Sequence, residues 1–127
     1  MTFKRSACPI ANVLDVIGDK WSLLVVRDIA LGKHRFSEFL ESPEHISTNV
    51  LADRLQQLEQ AGWITRACYQ TNPPRHSYDL TAKGKDFLPV LNEILRWTTA
   101  HMPTTVKFEP SRQDMIDSPD PTLPKLP

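Results

Sequence analysis

In residues Ser47–Leu80, STNVLADRLQQLEQAGWITRACYQTNPPRHSYDL, the period of the apolar residues changes once, and that change decides the fold. Leu51, Leu55 and Leu58 recur at helical spacing, which predicts one buried stripe of a helix over about Thr48–Ala61. Ser47 is its N-cap and Gly62 its end. The opposite face carries Thr48, Asn49, Ala52, Asp53, Gln56 and Gln60. Beyond Gly62, Trp63–Gln70 and His76–Leu80 are rich in β-branched and aromatic residues, as strands are. Between them, Thr71-Asn72-Pro73-Pro74-Arg75 is expected to be a loop, because paired prolines cannot join a ladder. The result is a hairpin with an exposed basic tip.

Upstream of this stretch the pattern is helical throughout. Pro9 suits the first turn of a helix whose N-cap is Cys8, whose stripe is Ile10, Val13, Leu14 and Ile17, and whose end is Gly18. Asp19 is expected to cap a second helix, Lys20–Leu31, stopped by Gly32. A short third helix over Phe36–Glu41 turns Phe36, Phe39 and Leu40 inward and is closed by Pro43. Downstream, Thr81 caps a long last helix to about Met102, in which Pro89 is expected to make a bend. From Pro103 the prolines destroy any periodicity, so residues 103–127 are expected to form an extended tail, with a partner-binding arm as the alternative. The domain is thus 1–102.

A chain of 127 residues with 40% apolar and 24% charged residues has the composition of one globular domain. No apolar stretch suits a membrane helix and the N-terminus lacks the apolar run of a signal peptide, so no membrane partner is expected and the cytoplasm is the expected address. Cys8 and Cys68 form no metal spacing and are expected to be reduced thiols, Cys68 packing in its strand as a small hydrophobe. The four histidines stand singly, there is no glycine-rich phosphate loop, and no Ser, His and acid grouping emerges. Neither an enzyme nor a cofactor is expected.

Mainly α with one small hairpin, in the order helices then wing, is the layout of a winged helix-turn-helix DNA-binding domain. The third helix would support the fourth, which would enter the major groove of double-stranded DNA. Ser47, Thr48 and Asn49 lie at the end where base edges are approached, with Asp53 and Arg54 one turn later. Lys33 and Arg35 flank the supporting helix, and Arg75 sits on the wing. Asp53 opposes this reading unless it accepts from a cytosine amino group or holds Arg54. A net charge of zero also opposes it, which leaves a protein-binding winged helix without specific DNA affinity as the alternative. Two protomers on a palindrome would double the phosphate contacts of a weakly basic face, so a homodimer is expected. The first and last helices carry more apolar residues than one face needs, making Ile10, Val13, Ile17, Leu91, Ile94, Leu95 and Trp97 candidates for dimerisation; packing within one protomer is the alternative.

Cys8-Pro9-Ile10, Gly18-Asp19-Lys20-Trp21-Ser22-Leu23-Leu24, Arg35-Phe36-Ser37-Glu38-Phe39, Leu51-Ala52-Asp53-Arg54-Leu55, Pro73-Pro74-Arg75 and Tyr78-Asp79-Leu80-Thr81 together resemble the HxlR-type regulators, a MarR-like branch of winged-helix proteins. The resemblance runs from Cys8 to about Trp97. It implies a homodimer on operator DNA, with terminal helices in the dimer contact and Ser47, Thr48, Asn49, Asp53, Arg54 and Arg75 at reader and wing positions; a repressor is expected, with an activator as the alternative. The family often has basic or amide side chains where Thr48, Asn49 and Asp53 stand, and the proline-rich tail has no counterpart. Some similar regulators sense electrophiles or disulfide stress through a cysteine in this region. A thiol at a helix N-cap faces the positive end of the dipole, which favours the reactive thiolate. Cys8 is therefore a candidate redox or electrophile sensor, with a small-molecule effector as a further partner; a purely structural cap is the alternative.

Overall fold

The structure, a computed structural model, describes residues 5–102. The tail expected over 103–127 lies outside the described residues. In chain order the elements are α1 (Pro9–Ile17), α2 (Ser22–Ala30), α3 (Phe36–Leu40), α4 (Thr48–Gln60), β1 (Ile64–Thr71), β2 (Pro74–Leu80), α5 (Ala82–Lys85) and α6 (Leu88–His101). This is the helix-rich, hairpin-bearing winged helix-turn-helix expected from the change of period.

Local chemistry accounts for most of the boundaries. Pro9 opens α1 where its missing N–H loses nothing, and the Gly18 amide closes it on Leu14 O at 2.8 Å. Asp19 caps α2 by accepting from the Trp21 and Ser22 amides at 2.8 and 3.0 Å and from the Ser22 hydroxyl at 2.5 Å. The helix therefore begins at Ser22, two residues later than Lys20, because the carboxylate orders a full turn before it. The Ser47 hydroxyl accepts from Val50 N at 3.2 Å and so starts α4. Gly62, at φ +82°, then takes the chain out of the helix in a conformation L side chains avoid.

The core is built where these elements meet. Val25, Val26 and Ile29 of α2, Phe39 of α3, and Leu51, Leu55 and Leu58 of α4 are buried with Trp63, Ile64 and Tyr78. Truncating any one of the α4 leucines would cost about 2–5 kcal/mol. The hairpin is antiparallel, pairing Ile64 with Leu80 and Arg66 with Tyr78, and a bulge between Cys68 and Gln70 breaks its register. Arg35 adds a bridge to Ser77, with Tyr78 N donating to His34 O at 2.8 Å, so the segment before α3 extends the wing.

Three expectations need correction. The wing tip is a two-residue turn, Asn72-Pro73 with a cis peptide, and Pro74 and Arg75 already pair with Thr71 and Gln70. Pro74 is tolerated as the first residue of β2, where its missing N–H interrupts no interior ladder. The last helix is not one bent rod but two helices, with Thr81 capping α5 and Pro89 in the first turn of α6. A break is favoured because α5 lies against the start of the hairpin, so close that a Cβ on Gly84 would come 2.2 Å from Trp63 O. Finally, Cys68 is exposed on the wing, its Sγ 2.9 Å from Gln70 O, and does not pack in the core.

Candidate nucleic-acid interface

The buried leucine stripe of α4 orients the helix and leaves Thr48, Asn49, Ala52, Asp53 and Gln56 exposed. Thr48 and Asn49 form its first turn, next to amides that the Ser47 cap only partly satisfies. Among the described residues these short side chains have no hydrogen-bond partner, and both residues are exposed.

Arg54 is placed differently. Its Nε lies 3.1 Å from Asp19 Oδ2, and its Nη1 donates to Asp53 Oδ2 at 2.9 Å and Gln57 Oε1 at 3.1 Å. Gln57 Nε2 in turn donates to Asp53 at 3.1 Å. Asp53 is thus held by Arg54 and Gln57, but the one guanidinium is shared with Asp19, so the group keeps a net negative charge. Asp19 joins α4 to the cap of α2. Burial pushes its carboxyl up, but the Ser22 hydroxyl, the Trp21 and Ser22 amides and Arg54 outweigh this and hold it below the usual carboxylate range.

Lys33 is turned to the α2–α3 junction. Its ammonium donates to Ser42 Oγ at 2.8 Å, and Ser42 donates to the buried Asp28 at 2.5 Å. Arg27 bridges Asp28 and Glu44 with hydrogen bonds of 2.8 to 3.0 Å. The Glu44 hydrogen bond, opposed by burial, raises the Arg27 guanidinium further, and Arg27 holds Glu44 below its ordinary range. The network clamps the turn between α3 and α4 to α2.

Arg35 and Arg75 are brought together. Both line one cleft between α3 and the hairpin, Arg35 with its guanidinium 4.5 Å from the Tyr69 ring centroid and Arg75 exposed beside the wing turn. The Arg35 amide donates to Glu38 Oε1 at 2.8 Å, which starts α3 and leaves the Arg35 side chain for the surface.

The residues singled out on the terminal helices divide. Ile10, Ile94 and Trp97 are exposed, 68%, 43% and 55%, together with Leu14, Val90 and Met102, which sequence reasoning passed over for this role. Val13 and Leu95 are half-buried, whereas Ile17 and Leu91 belong to the chain's own core. Cys8 is exposed at the N-cap, and its side chain makes no capping hydrogen bond. Arg5 does not turn to it: its guanidinium pairs with Asp15 at 2.6 Å and donates to Ala11 O at 3.2 Å.

Gln57 and Tyr69 were also missed as parts of this surface. Gln57 follows Asp53 at i+4, a legible spacing. Tyr69 depends on the bulge, which no local motif announces. Among the described residues no helix is long and apolar enough to cross a membrane.

Residues 16–106 match the model of the HxlR-like helix-turn-helix family. The chain is 44% identical over 84 residues to sll1512, an uncharacterized HTH-type transcriptional regulator of Synechocystis sp.; the match covers 66% of this chain and 62%, less than two thirds, of that protein. The redox regulator HypR in its oxidized form superposes with a TM-score of 0.68 and 32% identity, covering 76% of this chain and 100% of that one. The reduced form of the transcriptional regulator YodB from B. subtilis superposes at 0.64 with 30% identity, covering 76% and 96%.

Proposed function

The chain belongs to the HxlR-like helix-turn-helix family of transcriptional regulators, and on that premise we propose that it is a cytoplasmic repressor binding a palindromic operator as a homodimer. The observation that carries the DNA reading is the polar start of α4, where Thr48 and Asn49 are exposed beside the Ser47 cap and are held out by a fully buried leucine stripe. In this reading Thr48 and Asn49 meet base edges, while Ser47 and the α4 amides take a phosphate. Arg35 and Arg75 meet backbone phosphates from the wing, and Asp53 and Arg54 keep the reader helix in register. Lys33 contributes by charge alone, since its ammonium is engaged with Ser42.

Dimerisation is supported by the apolar residues that α1 and α6 leave exposed, Ile10, Leu14, Val90, Ile94 and Trp97. Val13 and Leu95 on the same helices are half-buried, while Ile17 and Leu91 lie in the core. Cys8 opens the same helix as Ile10 and Leu14, so an adduct on its thiol adds bulk and polarity at the edge of the partner-facing surface. That HypR is described as a redox regulator supports a role for Cys8 as the sensor.

Fluorescence anisotropy of the protein on the DNA upstream of its own gene, with unrelated DNA as competitor across a salt series, tests the reading. Saturable, competitor-resistant binding of two protomers per site, weakening steeply with salt, is the expected result. Equal, weak binding to both DNAs would point instead to a protein partner or an operator elsewhere.

A further inference from the structure

Arg35 and Tyr69 stand on opposite edges of β2. The Arg35 backbone bridges Ser77 on one edge and β1 pairs along the other, yet the Arg35 guanidinium carbon lies 4.5 Å from the Tyr69 ring centroid. The Arg35 side chain therefore crosses the strand to reach the ring.

Both ends of this contact are set by the backbone. The bulge between Cys68 and Gln70 leaves Tyr69 without a partner in the register, and bulges re-aim side chains. On the other side, the Arg35 amide donates to Glu38 Oε1 at 2.8 Å, and the preceding His34 carbonyl accepts from Tyr78 N at 2.8 Å. Tyr69 and Arg35 are both exposed, so the contact is not part of the core.

Arg35 also differs from most arginines of the chain in what it meets. Arg5, Arg27, Arg54, Arg66 and Arg96 each have a carboxylate in salt-bridge range. Among the described residues Arg35 has none, and the acid nearest in sequence, Glu38, is spent on the His34 and Arg35 amides. A carboxylate would occupy the N–H edge of the guanidinium. A ring fixes its plane and leaves that edge open to an anion. A side chain already held in this way also loses less rotamer freedom when it meets its partner.

We infer that Tyr69 is a positioning residue for DNA binding: it holds the Arg35 guanidinium flat beside the wing, with the N–H edge open to a backbone phosphate. This role rests on the proposed DNA reading, in which Arg35 meets a phosphate, and deepens it. Tyr69 acts through Arg35 and makes no DNA contact of its own.

The test is anisotropy titration of the wild type, Tyr69→Ala, Tyr69→Phe, Arg35→Gln and the Tyr69→Ala/Arg35→Gln double variant. Each is measured on the DNA upstream of the gene and on an unrelated duplex at low salt. A phosphate carries no sequence, so the losses are expected to be equal on both duplexes. Arg35→Gln weakens binding and lowers the salt slope by about one per protomer bound. Tyr69→Ala weakens it about two- to fivefold per protomer bound, the range of a cation–π contact at an exposed site, with a slope closer to the wild type because the charge remains. Tyr69→Phe keeps the flat ring and binds like the wild type. Added to Arg35→Gln, Tyr69→Ala costs nothing further, because the group it positions is gone. A Tyr69→Ala cost that persists in the Arg35→Gln background, a Tyr69→Phe protein as weak as Tyr69→Ala, or a Tyr69→Ala protein that binds like the wild type overturns the positioning role alone. A wild type that binds neither duplex overturns the DNA reading and this role with it.

Discussion

Arg54 of α4 and Asp19, the residue that caps α2, form an ion pair with Nε 3.1 Å from Oδ2. The contact ties the orientation of the exposed helix face to the start of a buried helix, so one carboxylate serves two elements at once.

Asp19→Ala removes the α2 cap and the Arg54 partner together and is expected to cost about 1–2 kcal/mol, the range of a lost N-cap. Urea denaturation measures it. Because the folded carboxyl titrates below its unfolded value, the stabilisation is present above the unfolded pKa and is lost as pH falls through the folded one. The wild type should therefore lose stability on acidification below about pH 4, and Asp19→Asn should flatten that part of the profile. An equally steep acid limb in Asp19→Asn would assign the loss to other carboxylates.

Asn49→Ala and Arg54→Ala should fail in different ways. Asn49→Ala is expected to weaken the preferred operator by about 1–3 kcal/mol while leaving unrelated DNA unaffected, as loss of a base contact does. Arg54→Ala should lower folding stability and weaken all DNA alike. Competition binding on a panel of single-base operator variants separates the two, and relaxed specificity in Arg54→Ala would make it a reader.

His45, in the turn before α4, has φ +62°, the left-handed region that disfavours side chains. His45→Gly is expected to relieve about 1 kcal/mol of strain, offset in part by the added freedom of the unfolded chain. The thermal midpoint should stay level or rise slightly; a marked fall would mean the imidazole makes a contact that outweighs the strain.

Trp97→Glu puts a charge into the exposed apolar face of α6 without touching the core. Sedimentation is expected to show a dimer for the wild type and a monomer for Trp97→Glu, and the salt slope of DNA binding should fall to about half, since half the phosphate contacts are lost. A dimeric Trp97→Glu protein would move the interface elsewhere.

Diamide in the presence of a free small-molecule thiol, which joins that thiol to Cys8 in a mixed disulfide while diamide takes up the two electrons and two protons, should release the wild type from DNA. Cys8→Ser should stay bound under the same treatment, and Cys68→Ser should respond like the wild type. Release of Cys8→Ser by diamide would remove Cys8 as the sensor and turn attention to the exposed Cys68 on the wing.

The split of the last helix into α5 and α6 was not legible in the sequence, whereas the order of elements from α1 through the hairpin, the Ser47 and Thr81 caps, and the Leu51, Leu55 and Leu58 stripe were. Each depends on residues within one or two turns of one another, where periodicity and capping act directly. Which charges remain for a partner was settled by packing. Lys33 meets Ser42, Arg54 meets Asp19, and Arg35 meets Tyr69 across intervals that no local pattern spans. The same holds for the apolar residues of the terminal helices: Ile17 and Leu91 went to the core, while Ile10 and Trp97 stayed outside. Helical spacing says that a residue shares a stripe, but only the packing of one element on another decides which part of that stripe is covered.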